Sequence, residues 1–191
     1  MATIDLNGRE VHTKIVYYGP GLSGKTTNLR NIYHRIPDVY RGPIRSIDTD
    51  TERTLFFDFL AVNPVQLGDW SIRYHLYSVP GQDGYTRTRR AILGGVDGVV
   101  FVADASREHT GANQDSLEEL GEHLEYHGRS IDDFPLVMQY NKFDLPTSAT
   151  HSVLEDRLNR FGATAVDAIA VNGNGVRETL AAITSLVTRT L

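Results

Sequence analysis

A glycine-rich segment, GPGLSGKT from Gly19 to Thr26, carries the residues with the clearest chemical potential. It matches the pattern G-x-x-x-x-G-K-[S/T] and lies between a strand-like run and a helix-like run. Glycines at these positions let backbone N–H groups converge on a phosphate at a helix N-terminus. The lysine then reaches the β- and γ-phosphates, and the threonine hydroxyl ligates Mg²⁺. We predict a phosphate-binding loop formed by Gly19, Gly21, Leu22, Ser23, Gly24, Lys25, Thr26 and Thr27.

A second polar motif, NKFD, occupies residues 141–144 and follows an apolar strand candidate. Asp144 can accept hydrogen bonds from the N1–H group and the exocyclic amine of guanine. Adenine lacks that amine and would leave a desolvated carboxylate unpaired, at a cost of about a few kcal/mol. The motif alone is weak because polar turns after strands are common. Together with the phosphate loop, and in this order, it predicts guanine rather than adenine, with Asn141, Lys142 and Asp144 in the site.

Alternating strand and helix candidates position these motifs. We predict strands at residues 12–18, 54–62, 71–79, 97–104, 135–141 and 164–171, and helices at residues 25–36, 84–93, 112–127, 150–161 and 175–190. The second and third strands alternate in polarity, as in a half-exposed edge pair, and a turn near Gly68–Asp69 joins them as a hairpin. The pattern predicts an α/β fold with a mostly parallel sheet, helices on both faces and the ligand beyond the carboxyl ends of the strands.

Composition narrows the class of protein. The 191 residues fit one domain, 1–191, and the net charge of -5 argues against a nucleic-acid partner. Cysteine is absent, so disulfides and thiolate chemistry are excluded. The sequence shows no signal peptide, membrane-spanning run or lipidation motif. We therefore expect a cytoplasmic protein without a membrane anchor.

The chain resembles the Ras-like small GTPases, and among them the bacterial MglA family of gliding-motility proteins. The resemblance extends over nearly the whole chain and rests on the segments KIVYYGPGLSGKTTNL, ERTLFFDFL, VPGQ, GVDGVVFVAD, NKFDLP and GVRETL. It implies a P-loop NTPase of the Ras-like G-domain type, with a six- or seven-stranded sheet, that binds GTP or GDP with Mg²⁺ and hydrolyses GTP slowly. It also implies a Roadblock/LC7-type MglB-like regulator, effectors bound through residues 37–60 and 80–90, and a role in cell polarity or motility.

The resemblance assigns catalytic roles to two residues and phosphate-sensing roles to two others. Thr54 resembles the threonine that ligates Mg²⁺ and contacts the γ-phosphate, which the Gly81 N–H group also contacts. Gln82 resembles the glutamine that orients the attacking water, and Arg53 resembles an arginine finger supplied in cis. Three further arginines follow Gln82 and are rival candidates for the arginine finger, although we favour their interpretation as a solvated helix face: Arg87, Arg89 and Arg90.

The base site follows from the same resemblance. Ala170 corresponds to the alanine whose N–H group meets the guanine O6 atom, but Val171 replaces the lysine that usually comes next. The aliphatic stem of Lys142 is then left to stack on the base.

Gly21 corresponds to a glycine beside the γ-phosphate, where a side chain would crowd the attacking water.

Two further departures from the family pattern concern the Mg²⁺ site and the second switch segment. Ser78 stands where most Ras-like proteins have an aspartate that holds a Mg²⁺-bound water, a departure shared by MglA-type proteins, and weaker Mg²⁺ affinity is expected. Asp83 and Gly84 follow the glutamine where apolar residues are expected, which puts the identity of the regulator in question. Two alternatives stay open: a GTP-dependent binding scaffold with negligible hydrolysis, and an ATP-using P-loop kinase or ATPase, which the NKFD motif disfavours.

Overall fold

The computed structural model describes residues 2–40, 42, 45–46, 58–81 and 84–191. The strands of this part are β1 (Thr3–Asp5), β2 (Glu10–Tyr18), β3 (Arg45–Ser46), β4 (Asp58–Leu67), β5 (Trp70–Ser78), β6 (Gly98–Asp104), β7 (Leu136–Asn141) and β8 (Thr164–Ala168). The α-helices are α1 (Lys25–Arg35), α2 (Thr86–Ile92), α3 (Thr110–Tyr126), α4 (His151–Leu158) and α5 (Val176–Thr188). Short 3₁₀ turns occupy Asp38–Tyr40, Arg107–His109 and Ile131–Asp133.

The sheet is mixed but mostly parallel, as predicted. Its strand order is β3-β4-β5-β2-β6-β7-β8, and β1 pairs with β2 outside this path. The pairs β2–β5, β2–β6, β6–β7 and β7–β8 are parallel, whereas β3–β4, β4–β5 and β1–β2 are antiparallel. The predicted hairpin is confirmed as β4–β5, with Leu67 opposite Trp70. Burial alternates along β5 as predicted, but this strand is internal, because it pairs with β4 on one side and β2 on the other.

Helices cover both faces of the sheet, and adjacent side chains of β2 point to opposite layers. Val16 and Tyr18 pack with apolar residues of α2, α3 and α4. Ile15 and Tyr17 pack with apolar residues of α1 and α5. All residues of β6 and β7 are buried, as expected for central strands covered on both sides. The carboxyl ends of β2, β6 and β7 therefore meet at one edge, where the predicted site lies.

Three predicted boundaries differ from the structure for local reasons. β4 continues to Leu67 because a bulge sets Asn63 and Pro64 against one residue of β5, and this accommodates a proline that cannot donate to the ladder. β8 ends at Ala168, since Ile169 turns back to bond with Asn174. α4 ends at Leu158, where the Asn159 side chain bonds to both backbone groups of Ala163. The portion of the second predicted strand before residue 58 lies outside the described residues.

Candidate nucleotide-binding site

The phosphate loop connects β2 to α1 and takes backbone conformations that require glycine. Gly19 has φ 141° and Gly24, the N-cap residue of α1, has φ 105°. A Cβ atom at Gly24 would collide with the Asn141 side-chain nitrogen, and one at Gly19 would collide with the Val102 carbonyl oxygen. Leu22 also has a positive φ of 61°, and its side chain is exposed at the tip of the loop. The glycines predicted from the motif are thus needed for both the turn and its close packing.

Lys25 is folded inside the loop that precedes it. Its Nζ atom donates to the carbonyl oxygens of Gly19 at 2.9 Å and Pro20 at 2.5 Å. Burial, with a smaller contribution from the positive charge of Arg89, lowers the pKa of Lys25 to about 7. A bound phosphate would supply the opposite charge that this buried ammonium lacks, so the loop favours an anion as its ligand.

The remaining loop residues surround the start of α1. The Ser23 side chain is fully buried, and among the described residues its hydroxyl oxygen has no hydrogen-bond partner, as suits a group that meets a ligand. Thr26 and Thr27 lie in the first turn of α1 and are partly exposed. Gly21 lines the groove beside the phosphate loop, together with Gly19 and Gly81. The described residues contain no group of three or more His, Asp or Glu side chains that could hold a metal ion. A Mg²⁺ ion held by the Thr26 hydroxyl would therefore need phosphate and water oxygens to complete its coordination shell.

Asn141 ties the phosphate loop to the loop after β8. Its Nδ2 atom donates to the Ser23 carbonyl oxygen at 2.7 Å, and its Oδ1 atom accepts from the Ala170 N–H group at 2.8 Å. Both Asn141 and Ala170 are buried. The structure therefore brings together the predicted residues of three separate segments. The Ala170 N–H group, which the resemblance aims at guanine O6, is bonded to Asn141 in this structure.

Lys142 makes an ion pair that the sequence did not indicate. It has φ 65°, and its Nζ atom donates to Asp104 Oδ2 at 2.6 Å. Asp104 ends β6, its carboxylate is fully buried, and its Oδ1 atom accepts from the Ser106 N–H group at 3.0 Å. Although burial opposes it, these hydrogen bonds hold the pKa of Asp104 below its ordinary value. In the sequence, Asp104 is visible as an aspartate at the end of the apolar strand VVFVAD, but no local pattern indicates which residue pairs with it.

Asp144 lies on the exposed side of the same turn. The Leu145 N–H and the Ser148 hydroxyl both bond to the Lys142 carbonyl oxygen, at 3.1 and 2.8 Å, and this fixes the turn. Among the described residues, nothing donates a hydrogen bond to the Asp144 side chain, which is exposed. Its carboxylate is consequently available to a ligand that offers two adjacent N–H donors, as guanine does.

Gly81 packs directly against the phosphate loop. A Cβ atom there would lie 2.5 Å from Lys25 Nζ, 2.6 Å from the Pro20 carbonyl oxygen and 2.7 Å from the Gly21 nitrogen. Only glycine fits this contact. Ser78 is buried at the end of β5, in register with Tyr17, and is three residues before Gly81.

The interpretation of the arginines after Gln82 as a solvated face is wrong for Arg89. Arg87 is exposed and the guanidinium of Arg90 lies over the Tyr126 ring, but Arg89 is buried and pairs with Glu119 at 2.6 Å. Arg89 lies on the inner side of a short helix whose sequence, TRTRRAI, has no apolar stripe to reveal that side.

The predicted catalytic residues lie outside the described residues. This applies to Arg53 and Gln82, and also to Asp83 and to Thr54, the second predicted Mg²⁺ ligand. Their roles stay predictions. Gly84, which follows them, has φ 89° and is exposed, so glycine is required there for the turn into α2.

A glycine-rich loop between β2 and α1, tied by Asn141 to the NKFD motif that begins at the end of β7, defines a P-loop protein of the Ras-like fold. The chain is 46% identical over 187 residues to the mutual gliding-motility protein MglA of Myxococcus xanthus (strain DK1622), covering 98% of this chain and 96% of the relative. It belongs to the MglA family of Ras-like small GTPases. No protein-family model matches the chain. Within the described part of the structure, no helix has the length and apolar character needed to cross a membrane.

Proposed function

We propose that the protein is a molecular switch that binds GTP and GDP with Mg²⁺ and slowly hydrolyses GTP to GDP and phosphate. The observation that carries this proposal is the Asn141 side chain, which fixes the phosphate loop and the base-side loop in one arrangement. A nucleotide must contact both loops at once. Asp144 then supplies the acceptor that distinguishes guanine from adenine.

Hydrolysis would use residues on both sides of the γ-phosphate. We assign Gln82 to the orientation of the attacking water and Arg53 to the charge that develops in the transition state, by analogy with the family. Lys25 and the N–H group of Gly81 would hold the phosphate oxygens. This arrangement is supported by the close packing of Gly81 on Lys25 and Gly21.

Mg²⁺ would be held by the hydroxyls of Thr26 and Thr54, together with phosphate and water oxygens. The ion would neutralise charge on the phosphates. Ser78 offers no carboxylate to the outer shell of the ion, so we expect Mg²⁺ to bind more weakly than in Ras-like proteins with an aspartate there.

The proposed cellular role rests on analogy with the relative, whose name refers to gliding motility. We propose that the protein acts in gliding motility or cell polarity in the cytoplasm. Its regulator would be a Roadblock/LC7-type MglB-like protein, and the contact surfaces would be residues 37–60 and 80–90. In this proposal the loss of the γ-phosphate releases Thr54 and Gly81, which changes the surface that partners meet.

The base assignment is tested with nucleotides that differ by one group. We expect wild-type protein to bind GDP about tenfold or more tighter than inosine diphosphate, which lacks only the exocyclic amine that Asp144 would accept from. In Asp144→Ala the two nucleotides should bind alike, and ADP should bind weakly to both proteins. Competition against a fluorescent GDP measures all these affinities. Equal binding of GDP and inosine diphosphate by the wild type would refute the role of Asp144.

A GTP-dependent scaffold with negligible hydrolysis is the second candidate, favoured by Ser78 in place of the usual acid. Single-turnover phosphate release separates the two functions. A switch enzyme should release phosphate, and Arg53→Ala and Gln82→Ala should each slow the release at least about tenfold with GTP affinity intact. Wild-type protein that binds GTP without releasing phosphate would be a scaffold.

A further inference from the structure

A buried hydrogen-bond network joins α2 to α3 beside the phosphate loop. Glu119 on α3 accepts from the Arg89 guanidinium at 2.6 Å and from the Thr86 hydroxyl at 2.9 Å, both on Oε1. Its Oε2 atom accepts from the Tyr18 hydroxyl at 2.8 Å, and this hydroxyl lies 3.2 Å from His123 Nδ1. The Glu119 carboxylate thus holds one residue of the sheet and two of α2.

The charges in this network are compensated. The Arg89 side chain is 9% exposed and that of Glu119 is 20% exposed, so the pair is largely shielded from water. Burial opposes ionisation of Glu119, but hydrogen bonds from Arg89 and Tyr18 hold its pKa below the ordinary value. Removal of either charge would leave the other poorly solvated, so the position of Arg89 is strongly determined.

From this position Arg89 reaches the segment that contacts the phosphate loop. One of its terminal nitrogens donates to the Pro80 carbonyl oxygen at 3.2 Å. That oxygen and the N–H group of Gly81 belong to one peptide unit, which is planar and places them on opposite sides. A guanidinium that holds the oxygen therefore fixes the direction of the Gly81 N–H group. Arg89, Glu119 and Gly81 line one groove of about 810 Å³, which also includes Gly19 and Gly21 of the phosphate loop.

We propose that Arg89, held by Glu119, is a positioning residue that aims the Gly81 N–H group at the γ-phosphate and so determines how strongly the protein prefers GTP to GDP. The inference rests on the proposed function, since it presupposes a guanine nucleotide in the phosphate loop. GDP has no γ-phosphate and should be indifferent to the direction of this N–H group. A pre-oriented donor favours GTP because no free energy is spent on ordering it when the ligand binds.

The test is the ratio of two affinities in each of three variants. Arg89→Met removes the guanidinium with similar volume, and Glu119→Gln removes the charge that holds it. Arg87→Met is the control, because this arginine lies exposed on the same helix. Affinities for GDP and for a non-hydrolysable GTP analogue with Mg²⁺ are measured by displacement of a fluorescent GDP.

In Arg89→Met we expect affinity for the GTP analogue to fall about tenfold, as for one hydrogen bond to a charged group, with GDP affinity within about twofold of wild type. Glu119→Gln should shift the ratio in the same direction by a smaller factor, and Arg87→Met should not shift it. A general loss of stability would weaken both ligands together and leave the ratio unchanged. The Glu119→Gln variant, which keeps the side-chain shape, provides the same test if Arg89→Met fails to fold.

An unchanged ratio in both Arg89→Met and Glu119→Gln would overturn the inference and leave the proposed function standing. Parallel losses for GDP and the GTP analogue would also overturn it, since they indicate a structural role alone. A wild type that binds neither nucleotide refutes the proposed function and the inference together, so the two failures are distinguishable.

Discussion

The buried side-chain amide of Gln139, on an internal strand of the sheet, leads to the strongest prediction about stability. Gln139 on β7 is fully buried and exchanges two hydrogen bonds with Asn28 on α1, at 2.7 and 2.9 Å. Its Nε2 atom also donates to the Thr179 hydroxyl of α5 at 2.8 Å. Asn28 in turn donates to the Gly24 carbonyl oxygen at 3.0 Å. The cluster joins the two helices of one face to the strand that ends at the predicted base-binding motif.

Gln139→Met keeps a similar volume while removing all three hydrogen bonds. At a net of about 1 kcal/mol for each bond, the free energy of unfolding should fall by about 3 kcal/mol. Asn28 Oδ1 accepts no other hydrogen bond from the described residues, so its desolvation would be left uncompensated. For a chain of this length, 1 kcal/mol corresponds to about 2–4 °C, so Tm should fall by about 6–12 °C.

Urea unfolding of nucleotide-free protein measures this loss without a contribution from ligand binding. Gln114→Met is the matched control, because Gln114 is exposed on α3 and the same substitution there should stay within about 0.5 kcal/mol of wild type. In a double-mutant cycle with Asn28→Leu, the double variant should lose less than the sum of the single losses by about 1 kcal/mol or more. A Gln139→Met variant as stable as the control would refute the assignment of the cluster as a stabilising link.

Three further predictions concern the loops. Lys25 has a pKa of about 7, which a bound phosphate should raise. GDP binding at pH 8 should therefore take up a proton, and GDP affinity should fall as pH rises above about 7. Calorimetry in buffers of different ionisation enthalpy measures this proton uptake. Asp104→Asn should lower the free energy of unfolding at pH 7 by about 1–3 kcal/mol by breaking its pair with Lys142, which is partly solvent-screened. Because the folded pKa of Asp104 is depressed, its contribution is present above the unfolded pKa and is lost as pH falls through the folded value. The stabilities of variant and wild type in urea titrations should therefore begin to converge only as pH falls below about 4. Gly24→Ala should weaken GDP at least about tenfold in the same displacement assay, since its φ of 105° and the contact with Asn141 both exclude a Cβ.

The parts of the fold that the sequence predicted are those whose signal is local. The phosphate loop is readable because its backbone conformation demands glycine at fixed positions, and the hairpin is readable from alternation on either side of Gly68–Asp69. β8 was predicted too long because Ile169 and Ala170 prolong an apolar run, although the chain turns at Ile169. Apolar residues indicate that a segment is buried, but the chain stays buried beyond the end of this strand, so the apolar run does not mark where the strand ends.

The residues that sequence reasoning missed depend on partners far along the chain. Gln139 bonds to residues 111 and 40 positions away, so no window of sequence contains the cluster. Arg89 meets Glu119 across 30 residues, and its short helix gives no periodicity that marks an inner side. The charge of Arg89 suggested solvent, but a guanidinium is readily buried where a carboxylate can pair with it.

The contacts also indicate which side of the proposed nucleotide site would respond to a γ-phosphate. Asn141 bonds the phosphate loop to the base-side loop, and Gln139 bonds α1 to the strand below it. These hydrogen bonds are buried and would have to break before the base side could move. Gly81 instead meets the loop through packing alone among its described contacts, and its direction is set from outside by Arg89. A difference of one phosphate group would therefore be expressed most easily through Gly81, whose shift away from Arg89 costs one hydrogen bond, whereas α2 stays held by Glu119.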